Sequence, residues 1–433
     1  MHMNIHETIL KRNLNNGLTY YIRNIDYFKK FITMALTVKI GSMYENKSGL
    51  AHLLEHMHMN FHKFSIYSNV RYRTEAYTNF FETTFYIKCF NDWESINSCL
   101  EILCNIAKGS FLNELYFIKT KNDVLLEISN YEKYSNNKNK LFSLLLANSQ
   151  YINCMAIGKS EYVSSLLYND VLQFYNIFYS ADLMSIAVVG DIDNTNKVEN
   201  KIKDIFGGIA SKKIPDTFFN NEIPKYNNIK THEIEVNNVK ESNLEVYFKV
   251  KKSDINVKSL DMEIIETILF EAIEIKLKDF LKKFNINIST IICERITLDS
   301  FHMFYVIRIN FEDPRSIIIK NIVNLINVFL KYVTYFIDDF LISNIRKKLN
   351  VDMEKSKYNY YDFFGMHYLL LECIEDFVIN KPVYVYSEKY NLLKKGIEAL
   401  PVDNIYAYLD YWINRCDRLF IAKVYKKKCC PKF

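Results

Sequence analysis

The chain has 433 residues, 49% of them hydrophobic, with 55 basic and 50 acidic residues for a net charge of +5. That length is too great for one ordinary domain and divides naturally into two of roughly 200 residues each; a charge so small and so evenly scattered excludes nucleic acid as a partner. The nine cysteines, irregularly spaced and odd in number, exclude a secreted disulfide framework, and no apolar run approaches the roughly 18 residues of a membrane span. With no apolar core of a signal peptide between Met1 and Arg12, the expectation is a reducing, cytoplasmic compartment.

In chain order, Ile9 to Leu14 reads as a strand, Asn15 to Gly17 as a turn, and Leu18 to Arg23 as the return strand. Phe31 to Ile40 is a third, apolar strand. A loop from Gly41 to Ser48 and Gly49 lead into a helix over Leu50 to Phe61, apolar-rich and free of proline and internal glycine. Glu75 to Cys89, rich in Thr, Phe and Tyr, reads as a further strand. Helical patterns follow at about Trp93 to Gly109, Asn113 to Lys133 and Tyr162 to Phe178, then a buried strand at Leu183 to Val189.

Gly207, Gly208, Pro215 and Pro224 punctuate a polar stretch that marks a boundary. Residues 1–212 form the expected first domain, 213–230 a linker and 231–433 a second domain. In the second, strands are expected at Glu233 to Lys251, a helix at Val257 to Phe284, strands at Ile286 to Phe311, and long helices after them. The fold class is α+β, with two sandwich domains of the same general kind, each a sheet covered by helices.

Four of the nine histidines fall between positions 52 and 62. His52, Glu55 and His56 form an H-x-x-E-H pattern on the predicted helix. Residues four apart share a helix face, so His52 and His56 can aim two imidazoles at one point. Glu55 reaches the same region without being a ligand. Two neutral imidazoles suit a borderline-soft cation such as zinc, and a catalytic zinc takes three protein ligands and a water, so a third ligand must come from elsewhere. Two histidines and a glutamate among Leu50, Leu53 and Leu54 are costly to bury unless a partner satisfies them, as a metal and its water would. His58 and His62 miss that face and read as structural.

The pattern is the inverted zinc motif, and the sequence resembles the family of mitochondrial processing peptidase, pitrilysin and insulin-degrading enzyme. Several segments carry the resemblance in order: Leu14 to Leu18; Gly41 to Glu45 with Gly49 to Met57; Ala76 to Thr78 with Thr83 and Tyr86; Asp123 to Ile128; and Tyr179 with Val188 to Asp191. It covers about the first 210 residues. It implies half of a clamshell in which Glu127 is the third ligand of one zinc ion per chain. On the residues alone, Glu114 and Glu132 lie close by and Glu127 is not singled out. It further implies that Glu55 is the general base and that a peptide substrate lies extended along the strand of Glu75, Ala76, Tyr77 and Thr78.

Three positions depart from the family pattern. Glu75 stands where Asn is usual, and Thr120 where a second glutamate often lies seven residues before the third ligand. Lys282 and Ile288 stand where active members carry an Arg and a Tyr. The expected protein is therefore a zinc endopeptidase subunit acting as the metal-bearing half of a heterodimer, with a related subunit supplying the Arg/Tyr pair. Its compact size suits processing of a precursor or leader peptide, as in bacteriocin maturation. The alternative is a non-catalytic structural or peptide-binding subunit of a processing-peptidase-like complex.

Overall fold

The computed structural model describes residues 6–60, 71–147, 149–212, 231–236, 242–252, 257–298, 302–311, 316–356 and 360–425. The opening hairpin joins β1 (Glu7–Asn13) to β2 (Thr19–Ile25). Its turn needs Gly17, whose φ of +89° an L side chain rarely adopts. β3 (Phe31–Val38) and α1 (Leu50–His58) follow. The stretch expected as one strand over Glu75 to Cys89 is instead a hairpin of β4 (Tyr72–Thr78) and β5 (Thr83–Phe90). Its turn contains no glycine or proline. The Asn79 side chain bends it by accepting the N–H groups of Phe81 and Glu82, both at 2.8 Å.

Next come α2 (Trp93–Ala107), α3 (Glu114–Leu145), α4 (Ser160–Ser165), α5 (Tyr168–Phe178), β6 (Met184–Gly190) and α6 (Thr195–Phe206). The single helix expected over Tyr162 to Phe178 is thus two. The chain restarts at Leu167, whose N–H is accepted by Asp170 at 2.9 Å. The remaining elements are β7 (Thr231–Val236), β8 (Ser242–Lys251), α7 (Ser259–Lys282), β9 (Ile288–Thr297), β10 (His302–Phe311), α8 (Ser316–Lys331), α9 (Val333–Phe336), α10 (Asp339–Ser356), α11 (Tyr360–Ile379), α12 (Tyr386–Ala399), α13 (Val402–Asp410) and β11 (Asp417–Tyr425). β11 lies beyond the long helices, where no strand was expected.

The first sheet runs β1-β2-β6-β3-β5-β4 and the second β7-β11-β8-β10-β9. Without β1, the two have one plan. β2 pairs parallel with β6 as β7 does with β11, and every other neighbouring pair is antiparallel. The chain also visits the positions in the same order, so α7 corresponds to α1. This is a repeat of topology that no residue-level repetition betrays, and α7 carries no histidine.

The chain divides into two compact units that are not contiguous in sequence: residues 358–386 belong with the first and 137–147 with the second. The expected linker, 213–230, lies outside the described residues. In the first unit one sheet face packs under α1, α2, α5 and α6. The other face, with Tyr21, Ala35, Tyr86 and Val189, packs against Leu369, Leu370, Cys373 and Ile374 of α11. Arg23 anchors that helix from β2: its fully buried guanidinium donates to Glu7 at 2.6 Å, Glu372 at 2.7 Å and the Leu369 carbonyl at 3.0 Å. In the second unit a single core joins the sheet to α7, α8 and α13. Among the described residues no helix is long and apolar enough to cross a membrane.

Candidate metal centre

Leu50, Leu53, Leu54 and Met57 recur at helical spacing and are buried in the first core. At about 1.5–3 kcal/mol for each such side chain, they fix which face of α1 points inward. The other face is left to His52, Glu55 and His56. Both ends of the helix are tied down. At the start, Gly49 takes φ +90°, and a Cβ there would meet Val163 Cγ2 at 2.4 Å. The Glu45 carboxylate accepts the N–H groups of Gly49 at 2.6 Å and Ala51 at 2.8 Å, placing an acid at the positive end of the helix. Beyond the far end, Asn60 donates to the Thr120 hydroxyl at 2.8 Å, and that hydroxyl donates to the Tyr116 carbonyl at 2.8 Å. Thr120, which stands where relatives often carry a glutamate, thereby joins the end of α1 to α3.

On α3 the buried positions Phe117, Thr120, Val124 and Ile128 face the core. Glu127 is turned onto the neighbouring face, toward the two imidazoles. His52 Nε2 and His56 Nε2 lie 3.2 Å apart, and Glu127 Oε2 lies 3.2 Å from His56 Nε2 and 3.7 Å from His52 Nε2. Among the described residues this is the one group of three converging metal-ligating side chains. Donors around a tetrahedral zinc, bonded at about 2.0–2.1 Å, sit about 3.3 Å from one another. Two nitrogens and one carboxylate oxygen at these separations fit that ion in both spacing and chemistry. Glu132 and Glu114, the alternatives on the residues alone, are exposed like Glu127 but lie outside the group.

Burial and mutual contact shift the titration of all three groups. Burial, aided by neighbouring His56, lowers the pKa of His52 to about 4. Burial also disfavours charge on His56, but the bond to Glu127 and the charges of Glu55, Glu127 and Asp123 outweigh it and raise the value. The bond from His56 holds Glu127 below the usual carboxylate range. Burial pushes Glu55 up to about 7, against the hydrogen bond it accepts from Thr78. That bond, Thr78 Oγ1 to Glu55 Oε2, measures 2.7 Å.

The four residues expected along the substrate strand divide between the two faces of β4. Ala76 packs toward the core under α1, and Thr78 reaches Glu55. Tyr77 packs on the opposite face with Tyr86 and donates to Glu82. Glu75 is exposed and paired with Arg73 at 2.9 Å. The side chains of Glu75 and Tyr77 therefore do not join the site, because alternate strand residues point oppositely. The backbone is a different matter. Asn79 N–H donates to the Glu82 carbonyl at 2.9 Å, closing the hairpin. The alternation of an antiparallel ladder then turns the N–H and C=O groups of Thr78, Ala76 and Thr74 toward the outer edge of β4, the last strand of its sheet.

His58 is fully buried among Phe85, Tyr175 and Tyr179, away from the ligand group; His62 lies outside the described residues. The roles of Glu45, Asn60 and Thr78 escaped the sequence reading. Only Glu45 left a signal there, as an acid shortly before a helix start.

Two family models match this chain. One, described as insulinase (peptidase family M16), covers residues 24–155, and the other, described as the peptidase M16 inactive domain, covers residues 165–344. A zinc protease PQQL-like protein of Arabidopsis thaliana is 25% identical over 224 residues, spanning 47% of this chain and 23% of the relative. An uncharacterized zinc protease of Rickettsia felis is 25% identical over 214 residues, spanning 45% of this chain and 49% of the relative. The matched stretch thus spans at most about half of these relatives. Among solved structures, the periplasmic protease PqqL from Escherichia coli superposes with a TM-score of 0.81 at 16% identity, over 98% of this chain and 48% of that one. The three candidate ligands lie on a fold shared with zinc proteases and within the stretch matched by the first family model, and the chain belongs to the insulinase (M16) family of peptidases.

Proposed function

We propose that this chain is a zinc-dependent endopeptidase subunit, with His52, His56 and Glu127 holding one zinc ion and Glu55 as the general base. The observation that carries this reading is the convergence of two imidazole nitrogens and a carboxylate oxygen at 3.2–3.7 Å beside a buried carboxyl group that is not one of the three. A zinc ion held there supplies Lewis acidity, which activates a water and polarises a carbonyl. Glu55 does the proton work. With Oε2 held by Thr78, Oε1 is left to take the proton of the attacking water and return it to the leaving amine. A carboxylate placed beside the ligand group can do both in turn. The peptide pairs as an added strand with the outward backbone groups of Ala76 and Thr78, which gives affinity without dictating sequence.

The chain acts, on this proposal, as the metal-bearing half of a heterodimer. By the resemblance, Lys282 and Ile288 stand where active members of the family carry an Arg and a Tyr. A related subunit supplies that pair. The proposed substrate is a precursor or leader peptide of the bacteriocin kind. None of the seven cysteines among the described residues forms a disulfide, in keeping with a cytoplasmic site of action. Possession of both histidines, Glu55 and Glu127 favours turnover over a purely structural role.

The test is hydrolysis of a quenched peptide library by the zinc-loaded chain, alone and with a related half-length chain from the same source, beside Glu55→Gln. Cleavage by the pair that Glu55→Gln abolishes is the expected result. Full activity in Glu55→Gln overturns the assignment of the base, and full activity of the lone chain overturns the heterodimer.

A further inference from the structure

The geometry points to Thr78 as the positioning residue of Glu55, so that one residue couples the peptide-pairing strand to the general base. This rests on the peptidase reading above. A glutamate's terminal torsion is broad and shallow, so burial alone does not orient its carboxylate. In this site one oxygen is fixed, by the Thr78 hydroxyl at 2.7 Å. The neighbouring hydroxyl does not compete for that bond. Thr83 donates its proton to the Ile40 carbonyl at 3.0 Å and lies 3.4 Å from Thr78 Oγ1, which leaves the Thr78 proton for Glu55.

Thr78 is itself held rigidly. It is the last residue of β4, next to the turn that Asn79 bends. The segment leading into α1 is fastened beneath that turn: Ser42 N–H donates to the Asn79 carbonyl and Met43 N–H to the Phe80 carbonyl, both at 3.0 Å. A Cβ on Gly41 would come within 2.2 Å of the Asn79 oxygen, so only glycine allows the approach. Two residues after Met43 on the same segment, Glu45 grips the N–H groups of Gly49 and Ala51 at the start of α1. One short stretch, 41–45, therefore fixes both the residue that holds the base and the helix that carries it. The backbone groups of Thr78 face the outer edge of the last described strand of the sheet while its side chain faces Glu55. A peptide that pairs with this strand is thus placed by the residue that aims the base.

The alternative is that the Thr78 hydroxyl merely packs the hairpin. Thr78→Val keeps the shape and β-branching and deletes the donor; Thr78→Ser keeps the donor and trims a methyl group. Steady-state kinetics in the presence of the related half-length chain, with bound zinc and crystal structures of the zinc-loaded wild type and both variants, separate the two. The expected result for Thr78→Val is a kcat lower by about tenfold to a hundredfold, with KM and zinc content unchanged and the Glu55 carboxylate displaced. Thr78→Ser should restore most of kcat. Wild-type kcat in Thr78→Val, equal loss in Thr78→Ser, or an unmoved Glu55 in Thr78→Val overturns the inference. Absence of Glu55-dependent hydrolysis by the wild type even in the pair would sink the peptidase reading by itself, and the position of Glu55 in the Thr78→Val crystal would still decide this one.

Discussion

Replacing His58 with phenylalanine, two residues from the metal-binding pattern, should stabilise the protein. His58 has no exposed surface and no hydrogen-bond partner for either ring nitrogen. Its neighbours are rings: Tyr179 at 5.3 Å, Phe85 at 5.7 Å and Tyr175 at 6.0 Å between centroids. A buried polar group without a partner costs about 1–3 kcal/mol, and phenylalanine removes that cost while keeping an aromatic ring. Its slightly larger ring gives back part of the gain through crowding, leaving a net stabilisation of about 1–2 kcal/mol at pH 8. Burial lowers the folded pKa of His58 to about 3, against about 6.5 in the unfolded chain. The unfolded chain therefore takes up a proton that the folded one refuses. The stability associated with neutral His58 is complete above about pH 6.5 and is lost as pH falls below it, by up to about 1.4 kcal/mol per pH unit. Urea unfolding of the wild type and His58→Phe at pH 8 and pH 5.5 measures both effects. A gain at pH 8 that widens at pH 5.5, with zinc content unchanged, is the expected result. Destabilisation at pH 8, or the same pH dependence in both proteins, refutes the reasoning.

Arg23→Met should cost about 3–5 kcal/mol in the same assay, because it leaves Glu7 and Glu372 buried without their cation. Replacing all three with apolar residues should recover most of the loss; failure to recover would show that the ion pairs are not the cause. Glu45→Ala frees the N–H groups of Gly49 and Ala51, so it should cost about 1–3 kcal/mol and weaken zinc binding in a chelator competition. Unchanged zinc affinity would show that the start of α1 is held by other means.

The helix of His52 and His56 was legible because its signals are local: four-residue spacing, an apolar stripe and a glycine before the first turn. Glu127 was not distinguishable from Glu132 by its own surroundings in sequence, since both are helix carboxylates. The packing of Val124 and Ile128 turns only Glu127 toward the imidazoles. The β4–β5 turn was hidden because Phe80 and Phe81 look like strand residues, while the bend is made by an asparagine side chain. β11 and the membership of α11 in the first unit depend on pairings across hundreds of residues, such as Arg23 with Glu372, which no local window contains. The topological repeat was invisible for a related reason: the two sheets share an order of strands rather than a pattern of residues. Thr78 could be placed on a strand from sequence, but its hydrogen bond to Glu55 required knowing which face of β4 meets α1.

The most direct test of the metal centre is bound zinc per chain in the wild type, Glu55→Gln, Glu132→Gln and Glu127→Gln after exhaustive dialysis against metal-free buffer. One zinc in the first three and little or none in Glu127→Gln is the predicted result. A zinc-free wild type, or a Glu127→Gln chain that holds zinc as firmly as the wild type, would contradict the account.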